Sequence, residues 1–304
     1  MTEPQLLFVP CPDAGSGHRM AYWLWGDPAA AHLVVCVHGL TRQGRDFDTL
    51  ARALCARSRR PIRIVCPDVP GRGRSDWLSD PAAYQVPSYA ADMLVLLAHL
   101  RPTHFDWLGT SMGGLIGLVV CGQGGLPLPA PVRRLVLNDV GPVIQWQALE
   151  RIGSYLGKTG SFESLTAAAD AMRSISAGFG PHTDPQWLEL SRHMVRPLSG
   201  PDGRPPEHGM LTLHYDPAIA QAFRTLSPES AARDEAVLWS LYDNVSAATL
   251  LTRGEQSDLL ARDTALEMTR RGPHARLVEF AGVGHAPTFV ADDQVDVVAD
   301  FLLG

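Results

Sequence analysis

The sequence predicts an α/β domain built on a mainly parallel sheet and interrupted once by a helical insertion. Short apolar runs of strand type alternate with stretches whose apolar residues recur at helical spacing. Each such alternation implies a crossover connection, and so a sheet buried on both faces. The alternation stops over residues 141–236 and then resumes. The chain's bulk agrees: 304 residues, 45% hydrophobic and 19% charged, suffice for one large domain with an insertion.

In chain order, residues 32–37 (HLVVCV) read as a buried strand, 46–56 (DFDTLARALCA) as a helix and 62–66 (IRIVC) as a second strand. Residues 88–100 read as a helix capped by Ser88 and followed by Pro102. A strand over 105–108, a helix over 111–122 and a strand over 134–138 (RLVLN) complete the first half. Residues 141–236 hold helical stretches, with no convincing buried strand and with a Pro/Gly-rich break over 196–209. A strand over 247–253, a helix over 259–270, a strand over 276–280 and a helix over 292–303 follow. The expected division is a core from residues 1–140 and 237–304, and a helical cap over 141–236.

The net charge of -6, with no basic block and no interleaving of basic and aromatic residues, argues against nucleic acid as a partner. No stretch approaches the roughly 18 apolar residues that a membrane span needs. The N-terminus carries no cationic segment before an apolar run, unlike a secretion signal. Five scattered cysteines (Cys11, Cys36, Cys55, Cys66 and Cys121) lack metal-like spacing. Reduced thiols and the absence of a signal lead to the expectation of a cytoplasmic protein.

The segment that carries chemistry is Gly109-Thr110-Ser111-Met112-Gly113. This G-x-S-x-G pattern directly follows a strand and directly precedes a helix. A nucleophilic serine on such a sharp turn exposes its Oγ, and the flanking glycines let the chain pass close to itself. The same pattern without chemistry would be a glycine-rich turn with an incidental serine; the strand–turn–helix context favours the nucleophile. A serine hydroxyl needs a base. Of eleven histidines, His285 alone lies in a loop after the last strand and before the last helix. Reactive groups collect at that carboxyl edge of a parallel sheet. The acid that orients the imidazole is expected to be Asp258, beyond the 247–253 strand, because the order Ser, Asp, His then suits this architecture. Asp139, just past the 134–138 strand, is the rival, and Glu255 a weaker one. The expected oxyanion donors are the backbone N–H groups of Met112 and Leu40, the latter in the loop after the first strand. His38 reads as a structural residue whose ring bonds loop backbone.

His38-Gly39, Asp68-Val69-Pro70-Gly71-Arg72-Gly73-Arg74-Ser75, Gly109–Gly114, Arg253–Asp258 and Gly284-His285 stand in an order that resembles the successive motifs of the α/β-hydrolase superfamily. The resemblance spans residues 20–304. It implies a mostly parallel eight-stranded sheet flanked by helices, with a helical cap after the sixth strand. It also implies a serine hydrolase that cleaves small carboxylic esters through an acyl-enzyme, with no metal or organic cofactor. Serine at the elbow disfavours the haloalkane dehalogenases and epoxide hydrolases, which carry aspartate there. Thioesterases, lactonases and C–C hydrolases of meta-cleavage products remain alternatives, as does a non-catalytic binder. Residues 38–47 (HGLTRQGRDF) with Ser111–Gly114 are similar to bacterial intracellular esterases, some of which act on short hydroxyalkanoate oligomers. Trp146, His208, His214, Tyr215, Trp239 and Tyr242 are candidate lining residues for the substrate pocket, and each reads equally well as packing. Arg42 and Arg45, beside the oxyanion loop, can meet an acidic substrate or form surface salt bridges. No oligomeric state is predicted.

Overall fold

The computed structural model describes residues 3–13, 15–198, 209–224 and 226–304. The strands in chain order are β1 (Gln5–Cys11), β2 (His18–Gly26), β3 (His32–Val37), β4 (Ile62–Pro67), β5 (His104–Thr110), β6 (Val132–Asn138), β7 (Val195–Pro197), β8 (Leu211–Leu213), β9 (Ala248–Gly254) and β10 (Arg276–Phe280). Eight of them form one sheet in the order β1-β2-β4-β3-β5-β6-β9-β10. β2 runs antiparallel to both its neighbours, and every other pairing is parallel.

Alternation along the central strands builds two cores. Leu33, Val35 and Val37 of β3 face one side with Trp107, Leu135 and Leu137. Val34 and Cys36 face the other with Ile64, Leu108, Val136 and Leu250. The helices are α1 (Asp48–Arg57), α2 (Val86–Leu100), α3 (Met112–Gly122), α4 (Trp146–Tyr155), α5 (Leu165–Ile175), α6 (Asp184–Arg192), α7 (Ala220–Arg224), α8 (Pro228–Asp243), α9 (Arg262–Met268) and α10 (Asp292–Leu303). α1 and α10 cover one face through Leu50, Leu54, Val298 and Leu302. α2 and α3 cover the other through Met93, Leu97, Ile116 and Val120.

Several details differ from the sequence reading. β1 and β2, absent from the sequence reading, lie at the sheet's antiparallel end, and β1 buries only Val9 and Cys11 although its sequence is largely apolar. Ser88 is not the cap of α2: the helix starts at Val86 after Gln85, with proline in its first turn. The insertion contains an antiparallel pair, β7 with β8, whose three-residue strands are too short to show a period. α8 spans residue 236 and packs on α3, where a Cβ added to Gly122 would run into the Leu241 backbone. The expected boundary at 236 therefore falls inside a helix that lies on the core.

The elbow has no space to spare. A Cβ on Gly113 would lie within the van der Waals radius of the Val37 carbonyl, so β3 and α3 touch backbone to backbone there. Gly113→Ala should therefore lower stability by about 1–3 kcal/mol or more, read as a lower midpoint in urea unfolding. An unchanged midpoint would show that this contact relaxes freely.

Candidate active site

Ser111 sits between β5 and α3 with φ 51° and ψ -116°, a strained conformation for a side chain of this kind. The surroundings hold it there. Its N–H donates to the Asn138 carbonyl at 3.0 Å, and its own carbonyl accepts from Gly114 at 2.8 Å. A Cβ on Gly109 would collide with the Gly113 backbone. The turn closes only because both flanking residues lack side chains.

The Ser111 hydroxyl lies 2.9 Å from His285 Nε2, and His285 Nδ1 lies 2.7 Å from Asp139 Oδ2. Asp139 is fully buried, and His285 keeps 13% of its side chain exposed. Both oxygens of the Asp139 carboxylate are engaged: Oδ1 accepts from the Gly254 N–H at 3.0 Å, and Oδ2 also accepts from the Ser257 hydroxyl at 2.7 Å. Held in this way, the carboxylate has a fixed orientation and aims one lone pair of Oδ2 at the imidazole.

This geometry corrects the expectation that Asp258 orients His285. Asp258 lies beyond Ser257 and turns outward, where it pairs with Arg151 of α4 at 2.7 and 3.0 Å and stays 48% exposed. The reason is reach. Asp139 follows β6 with no intervening residue, and β9 runs alongside, so the loop after β9 contributes the Gly254 amide and the Ser257 hydroxyl in place of an acid. Glu255 accepts from the Gly282 N–H instead. Asn138 was not singled out from sequence. Its amide donates to Thr110 Oγ1 and to the Pro287 carbonyl and accepts from Thr252, joining the elbow strand, β9 and the histidine loop.

Met112 follows the serine directly, and Leu40 lies in the loop after β3. Met112 is the first residue of α3, so its N–H has no helical acceptor. Both residues are braced by Arg72, which is fully buried. Its Nε donates to the Leu40 carbonyl at 2.8 Å, its Nη1 to the Pro70 carbonyl and the Tyr89 hydroxyl, and its Nη2 to Met112 Sδ at 3.5 Å. Among the described residues no carboxylate pairs with this guanidinium. Its guanidinium thus bridges the loop after β3 and the first residue of α3, the two segments expected to supply the oxyanion donors. His38 is structural, as its context suggests: Nδ1 donates to the Gly39 carbonyl and Nε2 accepts from the Val69 N–H. Burial pushes its pKa down to about 3, so the ring is neutral and one tautomer is set. Asp68 braces the loop from below through the amides of Gly44 and Arg74, and burial pushes its carboxyl up to about 6.

The cap candidates have mixed fates. Tyr215 is 2% exposed and its hydroxyl accepts from the Gly157 N–H, a packing role. His214 is partly buried, its backbone bridges Met194 and Gly73, and burial pushes its ring pKa down to about 4. Trp146 opens α4 and is half-buried. Trp239 belongs to α8, where its ring meets the Arg271 guanidinium at 4.1 Å and the edge of Tyr242. Tyr242 is completely buried. His208 lies outside the described residues. Arg45 is committed to Asp48 and Glu3. The cap reaches the site through Gly178, whose carbonyl accepts from the Gly284 N–H beside His285.

Comparison with known proteins places this geometry. Residues 34–301 match the model of the alpha/beta hydrolase family. The chain is 50% identical over 302 residues to a 3-hydroxybutyrate-oligomer hydrolase of Cupriavidus necator, covering 99% of each chain. It is 27% identical to an esterase of Mycobacterium tuberculosis, covering 92% of this chain and 84% of the other. The crystal structure of an alpha/beta hydrolase from Novosphingobium aromaticivorans superposes with a TM-score of 0.81 at 30% identity, over 99% of both chains. No helix among the described residues is long and apolar enough to cross a membrane. The chain belongs to the alpha/beta hydrolase family and is a hydrolase by its fold, its motifs and its relatives.

Proposed function

We propose that the protein hydrolyses short hydroxyalkanoate esters, with Ser111 as nucleophile, His285 as general base and Asp139 as the orienting acid. The observation that carries this reading is the continuous hydrogen-bonded line from Ser111 Oγ through both imidazole nitrogens to Asp139. With Nδ1–H held by the carboxylate, Nε2 is left as the acceptor for the serine proton. The hydroxyl attacks the ester carbonyl while His285 takes its proton. The carbonyl oxygen becomes an oxyanion facing the N–H groups of Leu40 and Met112, of which one such donor is worth about 3 kcal/mol. His285 then protonates the leaving alcohol as the acyl–oxygen bond breaks. Water, deprotonated by the same imidazole, releases the acid and restores the serine.

The substrate class rests on the 50% identity to a protein named a 3-hydroxybutyrate-oligomer hydrolase. That likeness runs end to end, cap included, and so favours oligomeric hydroxyacid esters over thioesters, lactones or dienoates. Five unpaired cysteines suit a reducing compartment, which supports a cytoplasmic site of action.

Wild-type protein should turn over p-nitrophenyl butyrate and the 3-hydroxybutyrate dimer, and Ser111→Ala should lower kcat by about 10⁶-fold. A fluorophosphonate should label the wild type and leave the alanine variant unlabelled. Labelling of another residue, or full activity in the variant, would remove Ser111 from the mechanism. Asp139→Asn should lower kcat by about 10⁴-fold through the wrong tautomer. Asp258→Asn breaks only a half-exposed pair and should leave kcat within a few-fold. The reverse ranking in a kinetic assay would restore Asp258 as the acid.

A further inference from the structure

At the turn end of the β1–β2 hairpin, Cys11 and His18 are paired across the strands. Residues paired in this way point to the same face of the sheet, with their Cβ atoms about 4.5–5.5 Å apart. α2 covers that face through Ala90 and Met93 and places Asp92 against the pair. Cys11 Sγ, an imidazole nitrogen of His18 and a carboxylate oxygen of Asp92 all lie within 4.8 Å of one another. The His18 and Asp92 side chains are 6% and 7% exposed, and Cys11 is 2% exposed. None of these residues belongs to the serine, histidine and acid of the candidate active site.

The polar atoms of this cluster are incompletely satisfied. His18 Nε2 lies 3.1 Å from Asp92 Oδ2 and is the only ion-pair partner of that carboxylate among the described residues. The neighbouring Arg19 is committed to Asp76. His18 Nδ1 is buried and has no hydrogen-bond partner among the described residues. It faces Asp13 Oδ2, which stands off at 3.6 Å. The Cys11 thiol reaches the Val9 carbonyl only at 4.0 Å. A proton on His18 would account for the two carboxylates but not for the thiol set against them. A metal cation accounts for all of these groups at once.

We propose that Cys11, His18 and Asp92 bind a zinc ion that staples the β1–β2 hairpin to α2. Thiolate, imidazole and carboxylate are the three donor types that zinc accepts together. Tetrahedral zinc, with bonds of about 2.0–2.3 Å, holds its donors about 3.3–3.8 Å apart. The 3.1 Å between Nε2 and Oδ2 and the 4.8 Å limit of the cluster bracket that spacing. Binding breaks the Cys11 S–H bond: the proton leaves to solvent, and the sulfur donates the electron pair to the metal. His18 binds through Nε2 as the neutral ring with its proton on Nδ1. That N–H then donates to Asp13, which gives the orphaned nitrogen the carboxylate partner that metal-bound histidines use. Cys11, Asp13 and His18 line a surface pocket of about 580 Å³, so an ion reaches them from solvent and water can fill the fourth position. Sequence spacing hides the site, because residues 11, 18 and 92 meet only through the hairpin register and the packing of α2.

The test titrates the reduced, chelator-treated full chain with Co²⁺, a spectroscopic stand-in for zinc. Wild type should develop a thiolate-to-cobalt charge-transfer band that saturates at one equivalent. Zinc, which thiolate sites select, should then abolish the band. Cys11→Ser should show no such band. Asp13→Asn should keep the band but weaken binding by about 10–100-fold, as expected when the partner of a metal-bound histidine is lost. At about a hundredfold excess over its Kd, zinc should raise the unfolding temperature of wild type by about 4 °C or more and leave that of His18→Gln unchanged. Absence of the band in wild type would overturn the site, and so would a band that survives Cys11→Ser. If the serine variant does not fold, the thermal shift decides: a zinc shift that persists in His18→Gln contradicts the proposal, as does no shift in wild type.

Discussion

The contact between His285 Nδ1 and Asp139 is the constraint on which the site depends, because it requires the chain after three strands to meet at one point. Asp139 follows β6, Gly254 ends β9, Ser257 lies in the loop beyond it, and His285 comes from the loop after β10. Parallel strands deliver all of these to their carboxyl edge. Asp139 itself has φ 55°, so it is turned into the left-handed region, as is Ser111. Both residues are held in unfavourable backbone states by hydrogen bonds that the sheet supplies, namely Ser111 N–H to Asn138 and Asp139 N–H to Thr252. The strain is stable only while the strand ends keep their register.

The opposite wall is organised by buried polar groups of a different kind. Arg72 holds the Leu40 carbonyl and the Met112 sulfur with one guanidinium, and His38 ties Gly39 to Val69. The loop after β3, which we propose supplies an oxyanion donor, is therefore held by the protein's own groups, and a donor fixed in advance needs no rearrangement during the reaction. The cap is tied to this frame at several points, among them the Gly178 carbonyl on Gly284, the Leu190 carbonyl on Arg42 and the Tyr84 hydroxyl on Asp216.

The parts legible in the sequence were those with a local signature. Central strands such as HLVVCV show an apolar run because both faces are buried, and the elbow shows its glycines because no other residue fits. The edge strand β1 and the three-residue strands of the cap bury too few positions to carry a period. The choice between Asp139 and Asp258 was not local. Both follow core strands, and only the lateral neighbourhood of β6 and β9 decides which carboxylate points inward. A usable signal existed in hindsight: Asp139 adjoins its strand directly, whereas Asp258 stands four residues past Gly254. Arg72 was visible only as part of a turn motif, and its bracing role depends on burial that no spacing reveals.

The most direct test of this account is the far-downfield proton resonance of the His285 Nδ1–H in protein carrying ¹⁵N-labelled histidine. A proton held between the imidazole and a buried carboxylate should give this signal in wild type and in Asp258→Asn, and lose it in Asp139→Asn. A signal that survives Asp139→Asn and disappears in Asp258→Asn would contradict the arrangement on which the rest is built.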